Sequence, residues 1–496
     1  MTTPAQPLST PTYGNWRLPR KAGLGSLGLV GTVGLFGSLV LVLITSMISL
    51  NSAVVVGIPF VLTLAPLAIR TQDRRNLYNI AGVRIGWLRR KSKRQHLYAS
   101  GPLSARPGGR FRPPGLLSRV TMLEGHDPYD RPFGVLYNRG RNQYTIVIGC
   151  EPDGGSLVDP DQVDTWVALW GEWLSQLAHE PGLRGAAVVV ETAPDSGTRL
   201  AAEVFGRVSA DSPPAARAVM EEVVYNYPHA SSEMNTYITL TYTGARRAKE
   251  ETLTDLAMRL QGLLNGLVAA GGGWAEPLSA ERISEIVRIA YDPAVAPDVL
   301  DIRARHGYTG LEWVDAGPAA AVETVTQYQH DSGVSRSWLL TLAPRGSVRS
   351  NVLRGLLEPA PGLRRKRVAL VYRPIDPATS ARIVESDRRN AQFMANSTRG
   401  LVRARAASEV EAAEQTAAEE ASGAGLVEFS MVVTLTVDSA ADIPDANVTM
   451  RNLLGATRIA MRPADRMQAA AFTCALPVGI LPWEQSMVPQ ELQEAL

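Results

Sequence analysis

The chain has 496 residues, 45% hydrophobic and 20% charged, with 50 basic and 48 acidic side chains. Such a length holds an apolar anchor plus two to three globular units. Two cysteines, Cys150 and Cys474, exclude a disulfide framework and any cysteine-based metal spacing, as a reducing cytoplasm would lead one to expect.

The charges are unevenly placed. From Ala22 to Ile69 there is no Asp, Glu, Lys or Arg. A spanning helix needs about 20 predominantly apolar residues, so residues 22–69 predict a two-helix transmembrane hairpin. Its helices are placed near Gly23–Ser49 and Ala53–Ile69, with a turn at Leu50-Asn51-Ser52 and a kink from Pro59 and Pro66. The alternative is one long tilted helix and an apolar stretch packed on protein. The run is too long for a cleaved signal peptide. A G-x-G-x-x-G at Gly23, Gly25 and Gly28 has no strand before it, so it reads as close helix packing rather than a nucleotide loop.

The flanks set an orientation. The tail, residues 1–21, carries Arg17, Arg20 and Lys21 and no acid, and Asp73 is the single acid among residues 70–119. Basic flanks stay inside, so the expectation is a multi-pass inner (plasma) membrane protein with its N-terminus and C-terminal domain in the cytoplasm. Residues 70–118 read as a basic juxtamembrane segment and linker. There Arg70, Arg74, Arg75, Arg89, Arg90, Lys91, Lys93 and Arg94 are expected to face the bilayer's anionic headgroups, at about 1 kcal/mol each. Direct nucleic-acid binding is the weaker reading of the same charges. Residues 120–496 hold 34 basic and 47 acidic side chains, a net −13.

The rest predicts cytoplasmic α+β domains: mixed sheets with flanking helices and one long charged helix or helical hairpin. Residues 119–300 form the first α+β domain. Phe133–Tyr137 and Gln143–Cys150 make a strand hairpin. Asp159, Pro160 and Gln162 start a helix whose apolar face is Val163, Trp166, Val167, Trp170, Trp173, Leu174 and Leu177. Leu183–Thr192 is a buried strand, and 212–226 a helix. Asn235–Thr243 is an alternating strand, followed by a leucine-striped helix that stops at Gly271-Gly272-Gly273. Another helix covers 279–291. Residues 301–377 are a strand-rich middle, with strands near 319–329, 336–343 and 366–373, and a basic, loop-like stretch 345–367 that contains Arg364-Arg365-Lys366-Arg367.

Residues 378–496 hold the long charged helix and a C-terminal α+β unit. The helical stretch 378–421 is basic first (Arg382, Arg388, Arg389, Arg399, Arg403, Arg405) and acidic later (Glu409, Glu411, Glu414, Glu419, Glu420). That order opposes the helix dipole. A hairpin breaking near Gly400, or a partner protein, would pair the two halves. A strand with Phe429, Met431, Val433, Leu435 and Val437 on one face follows, then a helix, a short strand and a last helix. Thr239-Leu240-Thr241 and Thr434-Leu435-Thr436 share a strand-then-helix context, a hint of duplication.

Motifs for chemistry are lacking in the sequence. There is no G-x-x-x-x-G-K-[ST], H-E-x-x-H or G-x-S-x-G. The histidines (His96, His126, His179, His229, His306, His330) are dispersed. His126-Asp127-Pro128-Tyr129-Asp130 reads as an Asp-Pro turn rather than a metal site, and Trp166, Trp170 and Trp173 as core rather than a stacking surface. No catalytic, cofactor-binding or metal-binding residue, and no cofactor, is expected; the chain is read as not an enzyme.

A membrane hairpin, a basic segment, an α+β body, a long Ala/Arg/Glu helix, the strand Ser430–Val437 and the run Gln468-Ala469-Ala470-Ala471-Phe472-Thr473-Cys474-Ala475-Leu476-Pro477-Val478-Gly479 come in that order. Together they resemble the N-terminal region of the type IV secretion (conjugation) assembly ATPase, including forms with a fused two-helix membrane subunit. In that family the Leu-Pro-hydrophobic-Gly turn leads into the P-loop domain. The layout is similar to an actinobacterial family lacking the ATPase. No position here matches the family's ATP-binding residues. The resemblance implies a scaffold, part of an oligomeric complex, that docks a separate secretion ATPase and other membrane subunits. The rival readings are the two-helix core component of type VII secretion and a membrane-anchored enzyme of unknown chemistry.

Overall fold

A computed structural model describes residues 28–485 apart from 69–70, 72–76, 102–103, 105–108, 153, 155–157, 196, 210, 227–231, 245–247, 345–347, 361–362, 364 and 398–401. Several expectations therefore lie outside the described residues: the tail 1–21, Gly23, Gly25, Arg70, Arg74, Arg75, Arg106, His229, Arg364, and the proposed break at Arg399-Gly400. The described chain forms two compact units, one of residues 28–96 with 481–485 and one of residues 97–480.

The helical unit holds α1 (Gly28–Ser46), α2 (Leu50–Ala68) and α3 (Leu77–Ser92). The turn between α1 and α2 falls at Met47-Ile48-Ser49, earlier than the sequence suggests. Ser52 Oγ closes it by donating to the Thr45 carbonyl at 2.9 Å, and Ser49 Oγ accepts from the Ser52 amide. Among the described residues, no helix is long and apolar enough to cross a membrane. This overturns the transmembrane hairpin of the fold class and the multi-pass inner-membrane localisation. The charge-free run is divided at Met47-Ile48-Ser49 into α1 and α2, with 19 described residues each. Pro59 and Pro66 lie inside α2. The run is a helix pair that leaves Val33, Phe36, Leu39, Leu43, Val55 and Val61 exposed. On α3, Trp87 is buried with the Arg90 guanidinium 5.5 Å from its ring, whereas Arg89, Lys91, Lys93 and Arg94 are exposed.

The second unit is built on a single sheet of 13 strands. All ladders between its strands are antiparallel, which corrects the expected mixed sheets. Strands from the 119–300, 301–377 and 378–496 segments share it. After β1 (Leu97–Ala99) and β2 (Val120–His126), a first half runs β3 (Pro132–Asn138), β4 (Gln143–Glu151), α4 (Pro160–Leu177), β5 (Leu183–Pro194), α5 (Thr198–Arg207), α6 (Pro214–Asn226), β6 (Ser232–Thr243), α7 (Lys249–Leu267), β7 (Trp274–Pro277) and α8 (Ala280–Tyr291). After α9 (Ala296–His306) and β8 (Ala320–Glu323), a second half runs β9 (Tyr328–His330), β10 (Gly333–Leu342), α10 (Arg354–Leu357), β11 (Arg365–Pro374), α11 (Pro377–Ser397), α12 (Val402–Ala421), β12 (Val427–Val437), α13 (Ile443–Thr457), β13 (Ala460–Pro463) and α14 (Gln468–Cys474).

The two halves are one plan used twice. β4 pairs with β3, β6 and β7; β10 pairs with β9, β12 and β13. Registers agree residue by residue. Leu240 lies opposite Ile146 and Ala186, and Leu435 lies opposite Arg336 and Lys366. Pro277 ends β7 opposite Ile148, and Pro463 ends β13 opposite Trp338. The halves join where β5 meets β11. There Val189 faces Ala369, while Val188 with Leu370 and Val190 with Val368 exchange places about that pair. A pseudo-twofold axis therefore passes between Val189 and Ala369.

One face of the sheet is apolar. In the first half Ile146, Ile148, Ile238 and Leu240 pack on Trp173, Leu177, Leu256, Leu260 and Leu264 of α4 and α7. In the second, Met431, Val433 and Leu435 pack on Ile443, Ala446 and Met450 of α13. Trp173 also donates its indole N–H to the Leu263 carbonyl at 3.1 Å, so the tryptophan-bearing helix face is core, as its spacing predicts. The charged stretch 378–421 is the hairpin α11–α12 rather than one helix. Within it, Arg388 and Arg389 bond Glu385 of their own helix, and Glu411 and Glu414 face solvent.

Equivalent positions should carry equivalent loads. Leu240→Ala and Leu435→Ala, at sites with no exposed surface, are each expected to cost about 2–5 kcal/mol in denaturant unfolding of the full chain. A negligible cost at either one would show that its half lacks a packed core.

Candidate functional site

Alternation along a strand sends successive side chains to opposite faces. Opposite the apolar face, the central strands place Thr145, Thr239, Thr241, Ser335, Ser337, Thr434 and Thr436, with Glu191, Arg365 and Arg367 near the axis. All are buried. Buried hydroxyls need partners, and most find them across strands. Thr145 Oγ1 and Thr241 Oγ1 are 3.0 Å apart, Ser335 Oγ and Thr436 Oγ1 2.8 Å, and Ser337 Oγ and Thr434 Oγ1 2.8 Å. The Thr145–Thr241 and Ser335–Thr436 pairs are equivalent in the duplication, because Thr241 follows Leu240 as Thr436 follows Leu435.

Each of these equivalent pairs receives a proline turn that leaves a helix. After α14, Leu476-Pro477-Val478-Gly479 reaches the first pair: Thr241 Oγ1 donates to the Gly479 carbonyl at 3.2 Å. Gly479 has φ +66°, and a Cβ there would lie 2.3 Å from Thr145 Oγ1 and 2.5 Å from Thr241 Oγ1. Only glycine fits both the left-handed backbone and the close approach. After α8, Asp292-Pro293 reaches the second pair. A Cβ on Gly333 would meet Pro293 Cδ at 3.2 Å and Thr436 Cγ2 at 3.1 Å. Thus the turn that carries the resemblance to the ATPase has an internal counterpart. Gln468, at the start of α14, accepts from the Ser337 amide at 2.8 Å and fixes the other end of the segment.

His330 links the second pair to α8. Its Nδ1 is 2.6 Å from the Tyr291 carbonyl and its Nε2 2.7 Å from Ser335 Oγ. A carbonyl only accepts, so Nδ1 carries the proton. Burial, reinforced by the Arg367 charge and opposed by the Tyr291 bond, lowers the pKa to about 4. The neutral ring then accepts from Ser335 at Nε2, and Thr436 donates to Ser335. Tyr291, Tyr328 and Phe472 surround the imidazole with ring centroids 4.8–6.1 Å from it.

Near the axis, Arg365 Nη1 and Arg367 Nη2 lie 2.6 and 2.7 Å from Glu191 Oε1. Burial pushes the Glu191 carboxyl up, but the Arg367 and Arg365 charges outweigh it and hold the group below the usual carboxylate range. Two guanidinium groups share one carboxylate. Arg367 Nε and Nη1 have no hydrogen-bond partner among the described residues, and the Phe472 ring of α14 lies 5.8 Å from its guanidinium carbon. Cys474 and Cys150 are buried with thiols pushed up to about 12, which keeps them protonated and unreactive.

The sequence nominates no site residue, and His330, Glu191, Arg365, Arg367 and the hydroxyl pairs went unseen in it. The signal for the arginines was present: Arg365 and Arg367 alternate, as strand residues do, where the basic loop-like stretch 345–367 runs into the expected strand 366–373. Asp127, by contrast, makes the expected turn, its Oδ1 accepting from the Tyr129 and Arg131 amides at 2.9 Å.

Residues 20–79 match the model of a family described as a domain of unknown function (DUF8461). The match spans α1, α2 and the start of α3 and does not reach the sheet. No curated protein matches the chain.

Two outcomes test this face. Gly479→Ala adds a left-handed penalty of about 1–2 kcal/mol to the clash with Thr145 and Thr241. Limited proteolysis of the variant should cut within residues 475–480, where the parent resists; identical digestion patterns would mean the turn is not clamped. His330 remains neutral in the fold below its ordinary pKa of 6.5, so its contribution is complete above pH 6.5 and is lost as pH falls toward about 4. The loss is on the order of 3 kcal/mol. His330→Gln should flatten the denaturation midpoint against pH across that window.

Proposed function

We propose that this chain is a non-catalytic scaffold that docks a separate P-loop ATPase of the type IV secretion kind. The observation that carries the reading is the seating of Gln468–Gly479. This segment resembles the entry into such an ATPase, and here it is held at both ends on the duplicated sheet by Gln468 and Gly479. A segment held this way gives whatever binds beside it a fixed reference. The sequence has no phosphate-cradling G-x-x-x-x-G-K-[ST], so the nucleotide chemistry belongs to the partner. The solvent-facing Glu411 and Glu414 of α12 and the net −13 of residues 120–496 supply the charge. Such charge governs encounter and specificity more than affinity.

The test is co-purification of the full-length chain with the P-loop ATPase encoded beside it. Recovery should fall as salt shortens the Debye length from about 10 Å to about 3 Å. It should also fall several-fold in Glu411→Lys/Glu414→Lys, whose positions are exposed and leave the fold intact. Failure of the parent chain to recover the ATPase at low salt sinks the reading. So does ATP hydrolysis by the purified chain alone that survives removal of contaminants.

A further inference from the structure

The duplication supplies an internal control for one surface. Between β11 and β12, α11 and α12 pack on each other and bury Ser380, Val384, Ala391 and Ala413. The equivalent excursion between β5 and β6 is α5–α6, and there α6 buries no residue. Its apolar stripe, Val219, Met220 and Val223, is exposed, as is Phe205 on α5. α5 and α6 meet over a much smaller contact than α11 and α12 do, and α5 also packs on α9. A cavity of about 200 Å³ opens beside them, lined by Phe205, Val208, Ser209, Arg217, Met220 and Glu221. The same hairpin is closed in one half and open in the other.

We propose that the open α5–α6 hairpin is the docking site for an amphipathic helix of another protein, which inserts one large apolar side chain and flanks it with lysine or arginine. Size argues for a side chain: ligand pockets run to about 300–1,000 Å³, and this cavity is smaller. Shape argues for a helix, because a stripe at Val219, Met220 and Val223 beside a cavity is the receiving half of helix-in-groove recognition. Charge argues for a basic flank. Glu221 lines the cavity together with one base, Arg217; Glu222 and Asp211 are exposed beside it, and residues 120–496 are acidic overall. Met220 lets the lining adapt to the anchor. The inference is independent of the ATPase reading.

The experiment uses the full chain and a fluorescein-labelled helical peptide of about 18 residues, five turns, made of leucine and lysine with one central phenylalanine. A counterpart has glutamate for lysine. The comparison protein is Val219→Asp/Val223→Asp, exposed positions whose change should leave the melting temperature unchanged. The lysine peptide should bind the parent and bind both the variant and, as the glutamate form, the parent about tenfold more weakly or worse. Attraction by acidic charge alone predicts the opposite, since added aspartates would tighten binding. Equal or tighter binding to the variant overturns the proposal, as does no binding to the parent. Sedimentation of the two proteins alone closes the test: a self-association present in the parent and lost in the variant would give the face to a second copy, overturning it in another way.

Discussion

The ladder between β5 and β11 is the constraint on which the sheet unit rests. It joins the two halves at their equivalent strands and places Val189 against Ala369 on the axis. A slip of one residue there would move every side chain of one half to the other face. The leucines and valines that meet α13 would then sit under α14, and the hydroxyls under α13. Because both faces are buried, neither error is tolerable, and the register is fixed twice: by the apolar core on one face and by the hydroxyl pairs on the other.

The polar face has its own logic. Breaking a buried ion pair by removing one partner is far more destabilising than the pair is stabilising. Glu191, Arg365 and Arg367 sit where β5 and β11 meet, so these charges act as a lock on pairing more than as a source of stability. Arg365 lies opposite Thr436 on β12, the hydroxyl that donates to Ser335 and so connects to His330 and α8. A run of polar contacts thus leads from the axis to the helix of the first half, while Phe472 of the second half covers Arg367. Each half's last helix is held partly by the other half's strands.

Legibility in the sequence followed the physics of each element. Strong periodicity made α4, α7, α8, β6 and β12 readable, and the Asp159-Pro160 start marked α4 within a residue. The Thr-Leu-Thr pair was the visible trace of a duplication that only strand pairing reveals, because its evidence is long-range. Charge misled twice. Arg365 looked like loop, and Arg367 like the junction of loop and strand, because basic residues are seldom buried; Glu191, far away in sequence, pairs with both inside the fold. The uncharged run before residue 70 promised two spans, yet absence of charge does not set where helices stop. The helices α5 and α9 and the strand β2 left no clear pattern, being short and stabilised by contacts from distant segments.

Duplication also explains where the halves differ. A sheet whose central strands are buried on both faces admits little change there, since each central residue meets cross-strand neighbours and packed side chains. The excursions β5–β6 and β11–β12 leave the sheet and return to it, so their helices are free of the strand register and can diverge. One became the zipped α11–α12 hairpin, whose outer helix carries exposed glutamates. The other kept α6 exposed. The turns after α8 and α14 diverged as well. Both reach a hydroxyl pair, but the first ends on a histidine that reads the pair through Ser335, and the second ends on a glycine pressed against bare threonines. The plan shared by the two halves holds the sheet unit together, and the positions released from it are where the halves present separate surfaces.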